Sequence, residues 1–379
     1  MLSKTFHRAL ISLVLTFVLL LMGTIMAGAV SVKMENWGQY RGEQVYLYTV
    51  TNNNGAQMKV TNYGGRITAL KVPDKNGDLV DVVLGLESLK GYIENPNYFG
   101  PVIGRYGNRI ADGQFTLDGK TYHIAQNNGD NHLHGGFVGF DKRVWKIKAV
   151  ENNNDVSIVL NYLSKDGEEG YPGNLDIKVT YTLTDNNSVV IDYMAVTDKA
   201  TPVNLTNHSY FNLNGVNDTA LDHQLMINAD YYTPIDDEWI PTGAIASLEG
   251  TPLDFREATR VGKRIEEDFV QLENGAGYDH NYVLNTEGDL DQVAASVYSP
   301  ATGIFMEVYT TEPGVQFYSG NFLDGSITGK YDKVYNKHDA ICLETQHFPN
   351  SPNVNHFPST ILRPNEVYKT TTIYDFSTK

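Results

Sequence analysis

Cysteine is almost missing from this chain. Cys342 is the only one in 379 residues, so no internal disulfide can form and no lipid-modified cysteine can follow an N-terminal leader. Positive charge is also scarce. There are 29 Lys and Arg against 45 Asp and Glu, for a formal net charge of −16. Such a chain has no electrostatic footprint for nucleic acid, and its charge speaks for solubility rather than for a protein partner. A Gly-rich phosphate loop and a Gly-x-Ser-x-Gly elbow are absent, as are internal repeats, low-complexity tracts and linker-like shifts in composition. Helix signals are few.

The one long apolar stretch is N-terminal. Lys4 and Arg8 precede a segment, 9–32, without a charged residue, and Ala27-Gly28-Ala29 forms an A-x-A cleavage site. Residues 1–29 are therefore expected to be a signal peptide, giving an exported, periplasmic protein that begins near Val30. The uncharged run is long enough to span a bilayer, so an uncleaved membrane anchor is the alternative.

From there the pattern is strand after strand. Short runs rich in β-branched and aromatic residues cover 44–50, 57–61 and 66–72, with turn signals at 52–55 and 63–65 between them. Asp118-Gly119 predicts a type I′ hairpin inside 115–124. Further hairpins are expected from 145–150 with 156–162, from 175–183 with 189–197, and from 293–298 with 304–310. Asp74-Lys-Asn-Gly-Asp78 reads as a hairpin turn, because its glycine is misplaced for a calcium loop. The clearest helix expectation is 260–272, with Val261, Ile265, Phe269 and Leu272 on one side. The regular hairpin spacing predicts an all-β fold, one large antiparallel β-sandwich over 30–379.

Two segments can move protons. His208 lies in Asn204-Leu-Thr-Asn-His-Ser-Tyr-Phe-Asn-Leu213, and an imidazole gives or takes a proton near neutral pH. Glu344 follows the apolar run Ala340-Ile-Cys-Leu343, at the end of an expected buried strand. A carboxylate and an imidazole facing one substrate make a general base and a general acid. Other polar groups sit on turns. Asn108 and Arg109 are adjacent donors for hydroxyl groups, and Asp279 follows a Gly-rich loop. Gln316 and Tyr318 share a strand face. His132 and His134 are two apart on an extended segment and would share a face too. A metal would need further ligands, and no second ligand motif is present. The plainer readings are a surface salt bridge for Arg109, an Asx turn for Asp279 and a hydrogen-bonded core imidazole for His208. Glu344 with Asp279 would also offer the two carboxyl groups of a glycosidase, which leaves His208 without a role. A non-catalytic sugar-binding protein would need neither proton-transfer group.

Together these segments resemble the aldose 1-epimerase family, the galactose mutarotases. The likeness runs from Val60-Thr-Asn-Tyr-Gly-Gly-Arg-Ile67 through Gly104-Arg-Tyr-Gly-Asn-Arg109, Asn131-His-Leu-His-Gly-Gly136 and Asp166-Gly-Glu-Glu-Gly-Tyr-Pro-Gly-Asn174. It continues in Asn207-His-Ser-Tyr-Phe-Asn-Leu213, Tyr278-Asp-His-Asn281, Pro313-Gly-Val-Gln-Phe317 and Glu344-Thr-Gln-His347. The resemblance implies a large antiparallel sandwich with a sugar cleft on one concave sheet. It implies interconversion of the α and β anomers of free aldohexoses such as glucose and galactose, without metal or cofactor. Glu344 would be the base on the C1 hydroxyl, His208 the acid on the ring oxygen, and His134 a second active-site histidine. Asn108, Arg109, Asp279 and Gln316 would bind sugar, with Tyr210 beside His208. Gly107 stands where the family usually has Ala, and Asn350 where Asp is common.

Overall fold

Alternation of side chains along paired strands builds the molecule. The computed structural model describes residues 30–379 apart from 96, 153, 154 and 217. The expected leader, 1–29, lies outside the described residues.

The chain opens with a five-stranded meander in sequence order, Ser31–Tyr40, Glu43–Thr51, Gln57–Thr61, Arg66–Pro73 and Leu79–Asp81. The turn before its last strand is closed by the Asp74 carboxylate, which accepts from the backbone N–H groups of Asn76 and Asp78. A nine-stranded antiparallel sheet follows. In it, Leu175–Leu183 buries Leu175, Ile177, Val179, Tyr181 and Leu183. Its neighbour Ser188–Thr197 buries Val189, Ile191, Tyr193 and Ala195. This period of two is what a sheet with one face on a core requires. Asp118 and Gly119 both have positive φ, 52° and 76°, as the type I′ hairpin demands.

A second five-stranded sheet carries the chemistry. Its order is Ala246–Ser247, Ala229–Thr233, Asp279–Leu284, Gly314–Tyr318 and Cys342–Gln346, all antiparallel. Every residue of the last two strands is buried, so both faces are covered. Val315, Phe317, Leu343, Tyr282 and Tyr278 join the main hydrophobic core. Tyr374 of the large sheet donates its hydroxyl to the Leu343 carbonyl, tying the layers together. The opposite face carries Asp279, Gln316, Tyr318, Cys342 and Glu344.

The helix expected over 260–272 does not form. Thr259–Arg260 pairs with Gln224–Ile227, Val261–Lys263 is a single 3-10 turn, and the α-helix is only Val270–Gly275. The N–H groups of Val261 and Gly262 donate to the carbonyls of His223 and Leu221, which ties this stretch to the chain beside the large sheet. Val261, Ile265 and Leu272 are nonetheless buried. They enter the core from separate pieces of the chain, Val261 from the 3-10 turn and Leu272 from the short helix.

Candidate active site

Strand register fixes the floor of the site. Asp279 pairs with Tyr318, Tyr318 with Cys342, and Gln316 with Glu344. These five side chains therefore share one face of three adjacent strands. Glu344 is 2% exposed.

His208 comes from a separate segment laid beside this sheet. Thr206–Asn207 pairs with Val102–Ile103. The His208 N–H donates to Pro101, and its carbonyl accepts from Gly100. Phe211 bridges to Ile341, just before the Glu344 strand. Asn204 adds a clasp: its amide donates to the carbonyls of Gly107 and His347, and its oxygen accepts from the His347 N–H. The outcome is a His208 Nε2 only 3.5 Å from Glu344 Oε1. The imidazole lies between two nearly parallel phenol rings, Tyr210 at 4.9 Å and Tyr98 at 5.8 Å, each inclined by 19°.

The third component is a mutual grip between two strained loops. Asn108 and His134 both have positive φ, 63° and 50°, a conformation costly for residues with a Cβ. The His134 N–H donates to the Asn108 carbonyl at 3.0 Å, and the Asn108 N–H donates to His134 Nδ1 at 3.1 Å. Gly135, at φ +85°, permits this turn. A Cβ there would lie 1.8 Å from the Gly104 carbonyl oxygen.

These parts enclose a cleft of about 170 Å³, lined by Asn108, Arg109, His134, His208, Tyr210, Asp279 and Glu344 with Tyr98, Tyr318 and Phe322. Gln316, on the same sheet face as Glu344, donates to Asp279 Oδ1 at 2.7 Å. One expectation is corrected. His132 does not share a face with His134, because the positive φ at 134 breaks the extended run. The His132 ring is instead held by the Ala125 carbonyl and the Tyr171 hydroxyl. Tyr98 and Phe322 were not legible in the sequence. Tyr98 lies outside any regular element and has no periodic pattern around it, and its role arises from stacking on His208.

Burial dominates the electrostatics. It pushes the Glu344 carboxyl well above its ordinary range; the nearby Asp279 pushes the same way and Arg109 opposes. Asp279 is raised by burial, against Arg109 and the Gln316 hydrogen bond. Burial lowers His208 to about 3, partly offset by its own carbonyl. His134 is held well below 6.5 by burial and by the neighbouring His208 and Arg109. The Arg109 guanidinium, lowered by burial, is fixed by Asn128 at 2.9 Å and by the face of Trp239 at 5.2 Å.

One ligand atom from each of His134, His208 and Glu344 falls within 4.8 Å of the others, close enough to hold a cation. The donor set does not suit one. His134 Nδ1 accepts a backbone N–H, so the proton of the neutral ring is on Nε2. Neither nitrogen offers a lone pair. His134 is a hydrogen-bond donor aimed at a polar ligand.

The comparisons agree with this architecture. The family model for aldose 1-epimerase matches residues 46–375. The pig protein galactose mutarotase is 48% identical over 322 residues, covering 85% of this chain and 91% of its own. The aldose 1-epimerase of Escherichia coli K12 is 40% identical over 337 residues, covering 88% and 96%. Among solved structures, galactose 1-epimerase from Lactobacillus acidophilus superposes with a TM-score of 0.83 at 29% identity, covering 92% of this chain and 99% of that one.

Proposed function

This chain belongs to the aldose 1-epimerase family, and we propose that Glu344 and His208 carry its interconversion of aldose anomers as a pair sharing one proton. The observation that supports this most strongly is their 3.5 Å approach on the wall of a single polar cleft. With the shared proton on His208, Glu344 is a carboxylate beside an imidazolium. Glu344 takes the proton from the C1 hydroxyl while Nε2 gives its proton to the ring oxygen, and the C1–O5 bond breaks. The sugar is then an open-chain aldehyde, and the pair is left as a neutral carboxylic acid and a neutral imidazole. Burial favours that same neutral form in the empty cleft, since Glu344 is raised and His208 lowered. Rotation about C1–C2 presents the other aldehyde face. Reclosure returns both protons along the same paths and yields the other anomer.

The remaining groups bind and orient. Asp279, held by Gln316, accepts from sugar hydroxyls. Arg109, Asn108 and the Nε2–H of His134 donate to sugar oxygens. Tyr98, Tyr210 and Tyr318 wall the site and exclude water. The substrates are free aldohexoses, glucose or galactose, and the scheme uses no metal or cofactor. Polarimetry of freshly dissolved α-galactose and α-glucose, with and without chelator, tests it. Loss of activity in chelator, restored by one added metal, overturns the metal-free scheme.

The enzyme works outside the cytoplasm, most simply in a periplasm. This reading is supported by Lys4 and Arg8, the uncharged stretch after them, and Ala27-Gly28-Ala29. N-terminal sequencing after expression in a bacterial host should find a chain beginning near Val30. Residues 1–29 intact in the membrane fraction would mean an anchor; intact in the cytosol, they would defeat export.

A further inference from the structure

The proton-exchanging nitrogen of His208 is Nε2, and its other nitrogen has a partner of its own. Cys342 lies two residues before Glu344 on the same strand face, and its Sγ is 3.5 Å from His208 Nδ1. The thiol is fully buried. Burial, with Glu344 and Asp279 nearby, pushes its pKa well up, so sulfur stays a neutral thiol. We propose that Cys342 is a positioning residue for this reaction: its sulfur accepts the Nδ1–H of His208 and so keeps the Nε2 lone pair free to exchange a proton with the sugar.

The proton count requires one tautomer. An imidazolium carries a proton on each nitrogen. When Nε2 gives its proton to the ring oxygen, the neutral ring must keep its proton on Nδ1. Only then can Nε2 take a proton back on reclosure. A neutral ring with its proton on Nε2 is a dead tautomer for that step. An acceptor beside Nδ1 prevents it, which is the role a buried carboxylate has in the Ser-His-Asp arrangement. A carboxylate would also stabilise the imidazolium and hold back its proton. A thiol is a weak acceptor without charge; with its own S–H turned away from the ring, it favours the Nδ1–H tautomer while leaving His208 free to release its proton. The stacked phenol rings of Tyr210 and Tyr98 restrict the ring plane, but they do not distinguish one nitrogen from the other. The sulfur does.

The proposal rests on His208 as the proton donor, and its test reads the tautomer separately from turnover. In resting protein labelled with 15N-histidine, assigned by comparison with a His208→Gln variant, His208 should show a protonated Nδ1 and a pyridine-like Nε2. Cys342→Ala should shift the ring toward the Nε2–H form and lower kcat about 10-fold with KM little changed. Cys342→Ser, which restores an acceptor, should recover most of that loss. A wild-type ring with its proton on Nε2 overturns the proposal without touching the role of His208. So does a folded Cys342→Ala enzyme with wild-type kcat. If Cys342→Ala does not fold, the wild-type tautomer and the serine variant still decide. An inactive wild type, or a fully active His208→Gln, would instead strike at the role of His208 itself.

Discussion

His208 Nε2 and Glu344 Oε1 stand 3.5 Å apart, although one side chain comes from a crossing segment at 206–212 and the other from the end strand of a sheet. Two groups so close and so buried cannot titrate independently. Their shared proton is the basis of the account, and most of its consequences can be measured.

The first consequence is the pH profile. An ordinary imidazole would give a limb near about 6.5. Here burial lowers His208 to about 3, so the pair gains a second proton only in strong acid. It loses its single proton as pH rises through the raised Glu344 pKa. The value of kcat/KM for the free enzyme should therefore show no limb from His208 at its ordinary value, and should fall as pH rises through the raised Glu344 pKa and again in strong acid. An NMR titration of the His208 ring with a midpoint of about 6.5 would show that it titrates as an ordinary histidine.

Gln316 should act through Asp279 rather than on the sugar. Its amide donates to a buried carboxylate, and a hydrogen bond to a charged group contributes about 1.5–3 kcal/mol. Gln316→Leu is expected to raise KM by about 10-fold with a smaller change in kcat. Equal KM values in the two enzymes would remove Asp279 from the list of groups Gln316 serves.

Gly135→Ala should damage both stability and turnover. The added Cβ would collide with the Gly104 carbonyl in a conformation already at φ +85°, and forced overpacking costs about 1–3 kcal/mol or more. The His134–Asn108 grip adjoins it, so the donor Nε2–H is displaced as well. Urea midpoints and initial rates should both fall. An unchanged midpoint would mean that the loop relaxes at no cost.

A stability switch lies at the far end of the catalytic strand. His347 Nδ1 is 2.6 Å from Glu312 Oε2, and Tyr368 donates to the same carboxylate. Burial alone would lower His347, but Glu312 outweighs it and the pKa is raised. The ion pair therefore stabilises the fold fully below the ordinary value of about 6.5, and loses effect as pH rises through the raised one. His347→Gln should cost about 1–3 kcal/mol in acid and progressively less in alkali. A pH-independent difference in urea midpoint would contradict this.

Much of the fold was legible because hairpins are local. The alternation in 175–183 and 189–197, and the Asp118-Gly119 turn, each follow from neighbouring residues. The 260–272 segment was misread because Val261, Ile265 and Leu272 mimic a helical period, while the decisive bonds, to His223 and Leu221, come from distant chain. In the site, His208 and Glu344 stood out by residue type beside polar and apolar runs. The strand pattern places Gln316 on the site face, but its bond to Asp279 crosses from a neighbouring strand and is not legible locally. Tyr98 was missed because nothing local marks a ring that acts only by stacking on His208.

The most direct test is polarimetry of Glu344→Gln against wild type on fresh α-galactose, with sugar binding measured in parallel. The substitution keeps the shape of the side chain and removes the base. A lost general base costs about 10² to 10⁴-fold, so the variant should fold, bind sugar and turn over at no more than a hundredth of the wild-type rate. A variant that keeps more than about a tenth of that rate would place the base elsewhere and contradict the shared-proton pair.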